Sequence, residues 1–393
     1  MSTADAPGAW LRACALLVAT ATALAVATGG AGPAHRVLAA LAGPPLAALL
    51  VAAVVAHRRL LAPVLVTGAL LVATAASPGA AHLALAIPAF AAAAVLAALA
   101  WRGRPVPAGA WRDYLTLTKP RVMTLLLLTG LCGAAVGAHG RPSLSLLGVT
   151  FAGLALACGG AAALNHVLDR DIDKLMGPRT ASRPVASGRL SVPRALEFGL
   201  ALSAASFTLL ASTANLLTAV LALAGNLFYV VVYTGYLKRR GPQNIVLGGI
   251  AGAVPPLVGY AAATGSVAVP ALWLFAIVCL WTPPHFWALA LLLREHYERA
   301  AVPMLPVVRG EAFTLRRILG YTLVLVTATV VPFATGTFGV LYLAAALLLG
   351  GIFTVLSLRL LRAPTRRGAA GLFHYSLLYL ALLFVAAALD PLL

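Results

Sequence analysis

Acidic residues are scarce in this chain of 393 residues, which contains 10 Asp and Glu against 28 Lys and Arg. Charged residues of both signs make up only 10% of the sequence, whereas hydrophobic residues make up 62%. Such a composition excludes an ordinary soluble domain and a disordered chain. Apolar runs long enough to cross a bilayer recur along the chain. We therefore predict an all-α, polytopic membrane protein.

Cysteine is also rare, with four residues that stand alone in apolar runs and form no CxxC pair: Cys14, Cys132, Cys158 and Cys279. This pattern excludes a disulfide framework and a cysteine-based metal site. It favours packing or lipid-facing positions for all four thiols.

Hydropathy predicts four spans before a break rich in Arg, Pro and Gly near residue 104, and nine spans after it. The predicted domains are therefore 1–104 and 108–393. The thirteen spans are expected at about 9–29, 37–56, 61–77, 80–101, 121–138, 143–164, 192–211, 214–234, 244–263, 268–293, 315–335, 337–358 and 371–389.

The basic residues are distributed unevenly between the two faces of this arrangement. If the N-terminus is cytoplasmic, all Lys and Arg except Arg36 and Arg141 fall on the cytoplasmic side, which is 26 of 28. The positive-inside rule predicts this asymmetry for a multi-pass protein of the cell membrane. The net charge of +18 then faces lipid headgroups, and no nucleic-acid partner is implied. The first span resembles a signal peptide, but its removal would invert the charge pattern, so we expect it to be retained.

The few carboxylates are concentrated at the end of one apolar run, in the segment NHVLDRDID. On a helix, Asn165, Asp169 and Asp173 share one face, while Asp171 points in roughly the opposite direction. Oxygen ligands on one face predict a cation site, and carboxylates at a membrane edge are candidates for function. The alternative is a solvated, charged loop between two spans.

Three arginines follow this acidic face, at Arg179, Arg183 and Arg189. Carboxylates that bind Mg²⁺, together with guanidinium groups that bind phosphate oxygens, are the parts needed to hold a diphosphate. The arginines are also explained if they serve only as a topology signal.

Four blocks of the nine-span region occur in a distinctive order: NHVLDRDID with MGPRTASRP, then residues 233–260, WTPPHFWALAL at 281–291, and VPMLPVVRG at 302–310. Together they resemble the protohaem IX farnesyltransferases of the UbiA prenyltransferase superfamily over about residues 108–392. The segment YLTLTKPR at 114–121 is similar to the lead-in to that family's first span.

The resemblance implies a nine-helix bundle with a central cavity, preceded here by four additional transmembrane helices. It implies transfer of a farnesyl group from farnesyl diphosphate to the 2-vinyl group of protohaem IX, followed by addition of water. It also implies roles for residues matched by position: Asn165, Asp169 and Asp173 as Mg²⁺ ligands, Arg179 and Arg183 beside them, and Lys119, Arg121, Lys238, Arg239 and Tyr297 in substrate binding.

His285 occupies the histidine of the family's PPHF motif. It is expected to orient the porphyrin, contact its iron or handle a proton, unless it is an interfacial packing residue.

The second acidic motif departs from the family, because Glu295 and Glu298 stand where aspartates are usual, and Ala301 replaces a glycine. The two glutamates lie one helical turn apart, so both are predicted to face a second Mg²⁺.

Residues 1–104 resemble the C-terminal four-helix half of haem A synthase. His35 and His82 each begin a predicted span on the outer face, an arrangement that suits bis-imidazole ligation of a haem b. The other interpretation is a module that serves only for packing. The resemblance further implies haem A synthase as a partner.

Two other functions fit parts of the sequence. One is a UbiA-type transferase that acts on a quinone or chlorin, which the WTPPHFW and LKRRGPQN segments disfavour. The other is an ion-coupled transporter with carboxylates near the bilayer midplane. The predicted position of the carboxylates, at a membrane edge and beside arginines, disfavours it.

Overall fold

The computed structural model describes residues 111–392 and, separately from them, the single residue Val18. Within residues 111–392 the secondary structure is helical, with no β-strand. The α-helices are α1 (Trp111–Leu117), α2 (Pro120–Gly137), α3 (Leu144–Leu168), α4 (Arg170–Met176), α5 (Pro178–Ala181), α6 (Val192–Thr213), α7 (Leu216–Leu227), α8 (Lys238–Arg240), α9 (Asn244–Thr264), α10 (Val269–Leu292), α11 (Arg294–Arg299), α12 (Leu305–Val308), α13 (Glu311–Ala334), α14 (Val340–Arg362) and α15 (Arg366–Leu389).

Nine helical segments of this described region are long and apolar enough to cross a membrane. Their positions confirm the predicted all-α fold and the nine predicted spans after residue 108. The four earlier predicted spans, the 1–104 domain, His35 and His82 lie outside the described residues.

The nine spans pack as a bundle in which α10 is the most deeply buried member. It contacts α9 on one side and α13 and α15 on others, while α2 packs on α9 and α3 packs on α6. The core beside α10 contains aromatic side chains with almost no exposed surface, among them Phe353, Tyr379 and Phe384. Such packing fixes the ends of the helices, and therefore the groups that they carry.

The span predicted at 214–234, the fourth of the nine described spans, differs from its prediction, because the helix does not end near residue 234. Instead, α7 continues as a π-helix over Phe228–Leu237 and then as α8, so that the span reaches Arg240. Within the π-helix, the Thr234 hydroxyl donates to the carbonyl of Tyr229, five residues earlier, at 2.9 Å. Lys238 therefore projects from a helix rather than from a loop.

The longer connections of the bundle meet at one end of it. The connection after α3 contains α4 and α5, the connection after α10 contains α11 and α12, and α4 contacts α11. Gly177 lies between α4 and α5 with φ of 138°, and a Cβ there would come within 2.9 Å of the His296 ring. Glycine thus permits both this backbone conformation and the close approach of the two connections.

Helix α11 ends in a Schellman motif. The N–H of Ala301 donates to the carbonyl of Glu298 at 3.0 Å, and that of Val302 donates to the carbonyl of Tyr297 at 2.9 Å. The motif places Ala301 at φ of 51°, in the left-handed region where glycine is preferred. This explains physically why glycine would be usual at this position.

We expect Ala301→Gly to stabilise the protein by about 0.5–1 kcal/mol, because relief of left-handed strain exceeds the entropy that glycine adds to the unfolded chain. Thermal unfolding of the purified protein in detergent measures this change. Ala300→Gly is the matched control, because Ala300 already has a favourable φ of −87° and should lose stability. A lower unfolding temperature for Ala301→Gly would contradict the prediction.

Candidate active site

The acidic face predicted from the sequence is buried at the end of the bundle where the longer connections meet. Asn165, Asp169 and Asp173 are 2%, 1% and 1% exposed. Helical hydrogen bonding continues across the junction of α3 and α4. The N–H of Asp169 donates to the backbone carbonyl of Asn165, and that of Asp173 donates to the backbone carbonyl of Asp169, both at 2.8 Å. The Asn165 amide also donates to Asp169 Oδ2 at 2.7 Å. These contacts confirm that the three side chains share one face.

Asp171 points away from this face, as the helical spacing predicts. Its carboxylate is 58% exposed and accepts hydrogen bonds from the Arg239 guanidinium at 2.7 and 2.8 Å. The hydrogen bond from Arg239 holds the pKa of this carboxyl below its usual range. Arg239 therefore forms an ion pair with Asp171 and does not contact the acidic face.

Within residues 111–392, three cations from separate segments contact the acidic face. Lys119, just before α2, donates to Asn165 Oδ1 at 2.5 Å. Lys238 donates to Asp169 Oδ2 at 2.6 Å, and Arg183 donates to Asp173 Oδ1 at 2.5 Å. Buried carboxylates need such partners, because an unpaired charge in a low-dielectric interior is strongly destabilising.

Burial shifts the pKa values of two charged groups in this cluster. Burial, together with the nearby charge of Arg183, lowers the pKa of Lys119 to about 7. Burial also raises the pKa of Asp173, although Arg183 opposes this effect. An anion placed beside Lys119 would favour its protonated form and so raise its pKa.

Each buried carboxylate has one oxygen in an ion pair and one left over. Among the described residues, Asp169 Oδ1 and Asp173 Oδ2 are fully buried and accept no hydrogen bond. Buried polar atoms are rarely left unpaired, so the two oxygens point to a ligand. Hard oxygen donors of this kind suit Mg²⁺, which is typically held by one or two carboxylates together with substrate phosphates.

Arg121 and Arg179 are among the predicted site residues that make no contact with this cluster in the described part of the chain. Arg121 and Arg179 are exposed, and within residues 111–392 neither guanidinium has a hydrogen bond or ion pair to Asn165, Asp169 or Asp173. Their predicted contacts with substrate therefore remain predictions.

The second acidic motif is arranged differently from its prediction. Glu295 and Glu298 are exposed and line a separate pocket of about 280 Å³ together with His296 and Arg366. Helix α11 instead turns Tyr297 inward, where burial raises the pKa of its phenol to about 12, although the charge of Arg183 opposes this effect. Within residues 111–392, no three His, Cys, Asp or Glu side chains are grouped to hold a metal ion. The five predicted ligands are thus divided between two places.

The π-helix contributes residues next to the acidic face that were not predicted from the sequence. Thr234 Oγ1 accepts a hydrogen bond from the Asn165 amide at 3.0 Å, and Tyr229 stacks on Tyr233 with centroids 5.6 Å apart. A signal was present, because Thr234 lies four residues before Lys238 and shares its helical face.

His285 lies on α10 where that helix packs against α15, and it has no hydrogen bond to Asn165, Asp169 or Asp173 within residues 111–392. Its ring stacks on Trp281 at 4.2 Å and on Phe373 at 4.7 Å, and its Nδ1 is 2.7 Å from Ser376 Oγ. The packing expected for an interfacial histidine is present.

With this geometry described, the relationship to known proteins can be stated. The sequence model of the UbiA prenyltransferase family matches residues 126–386. The chain belongs to the UbiA prenyltransferase family. This confirms the superfamily inferred from the motifs.

Curated relatives that are identical to this chain at about half of the aligned positions carry a more specific name. The chain is 53% identical over 281 residues to the protoheme IX farnesyltransferase of Symbiobacterium thermophilum, a match that covers 71% of this chain and 94% of that protein. It is 52% identical over 281 residues to the protoheme IX farnesyltransferase of Thermus thermophilus, again over 71% of this chain. The matched region is 46% of the length of that Thermus protein, so the chain spans only about half of it.

A solved structure supports the fold. A UbiA homolog from Archaeoglobus fulgidus bound to GPP and Mg²⁺ is 19% identical and has a TM-score of 0.53. The match covers 70% of this chain and 99% of the homolog. At this identity the similarity shows the fold alone.

We expect Asp169→Asn to weaken binding of Mn²⁺, used as a paramagnetic substitute for Mg²⁺, in the presence of inorganic diphosphate. The loss should exceed about tenfold, because even outer partners of metal ligands contribute about 10–100-fold. Titration followed by electron paramagnetic resonance measures it. Asp171→Asn makes the same chemical change two residues away, at an exposed site, and should bind Mn²⁺ like the original protein. Equal affinities for the two variants would refute the metal role of Asp169.

Proposed function

We propose that this chain transfers the farnesyl group of farnesyl diphosphate to the 2-vinyl group of protohaem IX, which yields haem O for the assembly of haem–copper oxidases. The observation that carries the chemistry is the buried pair Asp169 and Asp173, each with one oxygen bound by a cation and one without a partner. The choice of acceptor is supported by the identity of 53% to the Symbiobacterium relative.

The cations of the site provide for the leaving group. When the allylic carbon–oxygen bond breaks, negative charge accumulates on the departing diphosphate. Lys119, Lys238 and Arg183 converge on the acidic face from three segments. Charges already in place where negative charge develops lower the barrier, because little reorganisation is needed.

Asp169 and Asp173 would hold Mg²⁺ through Oδ1 and Oδ2 respectively, the oxygens without partners. When bound, Mg²⁺ supplies Lewis-acid stabilisation of the phosphate oxygens. Asn165 contributes differently, because its amide links Lys119, Asp169 and Thr234 in one hydrogen-bonded unit. Asn165 thereby keeps Lys119 and Asp169 in fixed positions relative to each other.

The opposite requirement is protection of the allylic cation that remains on the farnesyl chain. Tyr229 and Tyr233 stack on each other in the π-helix, whose Thr234 bonds both the carbonyl of Tyr229 and the Asn165 amide. Tyr297 is buried on α11, so the rings of these three tyrosines are our candidates for the aromatic wall of the site. Aromatic faces stabilise a cation and exclude water that would capture it too early.

Transfer to the acceptor then forms one carbon–carbon bond. The terminal vinyl carbon of protohaem attacks the farnesyl C1 as the diphosphate leaves, and positive charge passes to the adjacent carbon beside the porphyrin. Water adds to that carbon and loses a proton, which gives the hydroxyethylfarnesyl group.

The membrane setting and the partners follow from the same proposal. The basic residues are distributed as expected for a multi-pass protein of the cell membrane with a cytoplasmic N-terminus. Farnesyl diphosphate and protohaem IX then act at the cytoplasmic edge, and haem O passes to a haem A synthase. No contact among the described residues bears on that handover.

Membranes that contain this protein should convert protohaem and farnesyl diphosphate into haem O only when Mg²⁺ is present. Liquid chromatography with mass spectrometry identifies the product. Asp169→Asn should abolish turnover, whereas Asp171→Asn should retain it, since Asp171 is outside the acidic face. A prenylated quinone or chlorin in place of haem O would overturn the proposed acceptor.

For the front domain, we propose a b-type haem bound by His35 and His82. The full-length protein should then show a low-spin, bis-imidazole absorption spectrum as isolated, because two axial histidines give a strong ligand field. His82→Ala should remove that signal, while His139→Ala, a histidine of the bundle, should not. A spectrum unchanged by His82→Ala would leave only the packing interpretation.

A further inference from the structure

His285 is held in a fixed orientation by two sets of contacts. Trp281 of α10 and Phe373 of α15 both stack on the imidazole ring, with interplanar angles of 17° and 22°. These rings fix the plane of the imidazole. The contact between Nδ1 and Ser376 Oγ at 2.7 Å fixes its rotation within that plane.

The hydrogen bonds of Ser376 determine which ring nitrogen carries the proton. Its hydroxyl donates to the carbonyl of Phe373 at 2.7 Å, one turn earlier in α15. A serine hydroxyl has a single proton to donate. Ser376 Oγ therefore accepts from His285, which assigns the proton to Nδ1 and leaves a lone pair on Nε2.

Helix α10 also fixes the position of the serine itself. The Trp281 indole N–H donates to the backbone carbonyl of Ser376 at 2.7 Å. Trp281 and His285 are four residues apart, so one face of α10 contacts both the backbone and the side chain of the same residue. Ser376 is fully buried, and this arrangement is consequently shielded from water.

The Nε2 atom has no such partner. Within residues 111–392 it makes no hydrogen bond, and it is not among the fully buried atoms that lack one, whereas both ring nitrogens of His166 are. His285 as a whole is 6% exposed. Its lone pair is thus the accessible part of an otherwise enclosed ring.

We propose that Ser376 is a positioning residue that fixes His285 as the Nδ1–H tautomer, so that Nε2 binds the iron of the porphyrin acceptor. The inference rests on the proposed function, which supplies protohaem as substrate. An imidazole whose second nitrogen donates a hydrogen bond is the usual arrangement of a histidine that binds a metal, because that bond orients the ring and raises its basicity.

The surroundings favour this role over that of a general base. A histidine that accepts a proton becomes a cation and is commonly stabilised by a carboxylate. The polar partners of His285 within residues 111–392 are neutral, namely the hydroxyl of Ser376 and the backbone of Phe373, and its ring neighbours are aromatic. A neutral ligand for iron needs no countercharge.

The test is to titrate the purified full-length protein with protohaem and record optical and electron paramagnetic resonance spectra. All variants carry His35→Ala and His82→Ala, so that the predicted front-domain haem does not contribute. We expect a single-imidazole iron signal that is lost in His285→Ala and restored when free imidazole is added. His374→Ala is the matched control, because His374 is exposed on α15 and should keep the signal.

Ser376 is tested by its own pair of variants. Ser376→Ala should weaken haem binding about 10–100-fold, as loss of an outer hydrogen-bond partner typically does, whereas Ser376→Thr keeps the hydroxyl and should restore affinity. Ser357→Ala removes another buried hydroxyl, one bonded to Thr322 and not to His285, and should leave affinity unchanged.

Several outcomes overturn the proposal. These are no haem binding, a His285→Ala spectrum like that of the parent protein, failure of imidazole to restore the signal, or unchanged affinity in Ser376→Ala. The haem O assay of the original protein separates this proposal from the proposed function. Haem bound through His285 without product would refute the function alone, while product formation with an unchanged His285→Ala spectrum would refute the ligand alone.

Discussion

The placement of two carboxylates inside an apolar bundle is the constraint on which this end of the molecule depends. Asp169 and Asp173 are both 1% exposed, and charges in such a position require partners. Lys238 comes from the end of the fourth span, Arg183 from the connection after α3, and Lys119 from the segment before α2. Three stretches that are distant in sequence are therefore brought together by the same requirement.

Much of this could be predicted from the sequence, because the relevant patterns are local. Hydropathy is sufficient for the nine spans, and a spacing of four residues is sufficient to place Asn165, Asp169 and Asp173 on one face and Asp171 on the other. Arg183 was predicted from its position shortly after the acidic face, whereas Lys119 and Lys238 followed from family motifs. Their individual partners became visible only in three dimensions.

The features that were not predicted depend on helix phase and long-range packing. The π-helix extends the fourth of the nine described spans to Arg240, and no rule of regular α-helical periodicity anticipates it. The spacing of Thr234 and Lys238 indicated a shared face, but the contact of Thr234 with Asn165 depends on packing. Helix α11 begins at a phase that turns Tyr297 inward and leaves Glu295 and Glu298 exposed. His285 meets Ser376 from 91 residues away, a contact that only the assembled bundle defines.

The composition of the charge cluster has a consequence for stoichiometry. Lys238 and Arg183 pair with Asp169 and Asp173, and Lys119 bonds the Asn165 amide, so the cations exceed the carboxylates by one when a bound anion holds Lys119 in its protonated form. A prenyl diphosphate with about three negative charges, accompanied by a single Mg²⁺, adds about one net negative charge. The sum is close to electroneutral with one metal ion. Charge balance at this site therefore does not require a second Mg²⁺, and Glu295 and Glu298 line a different pocket.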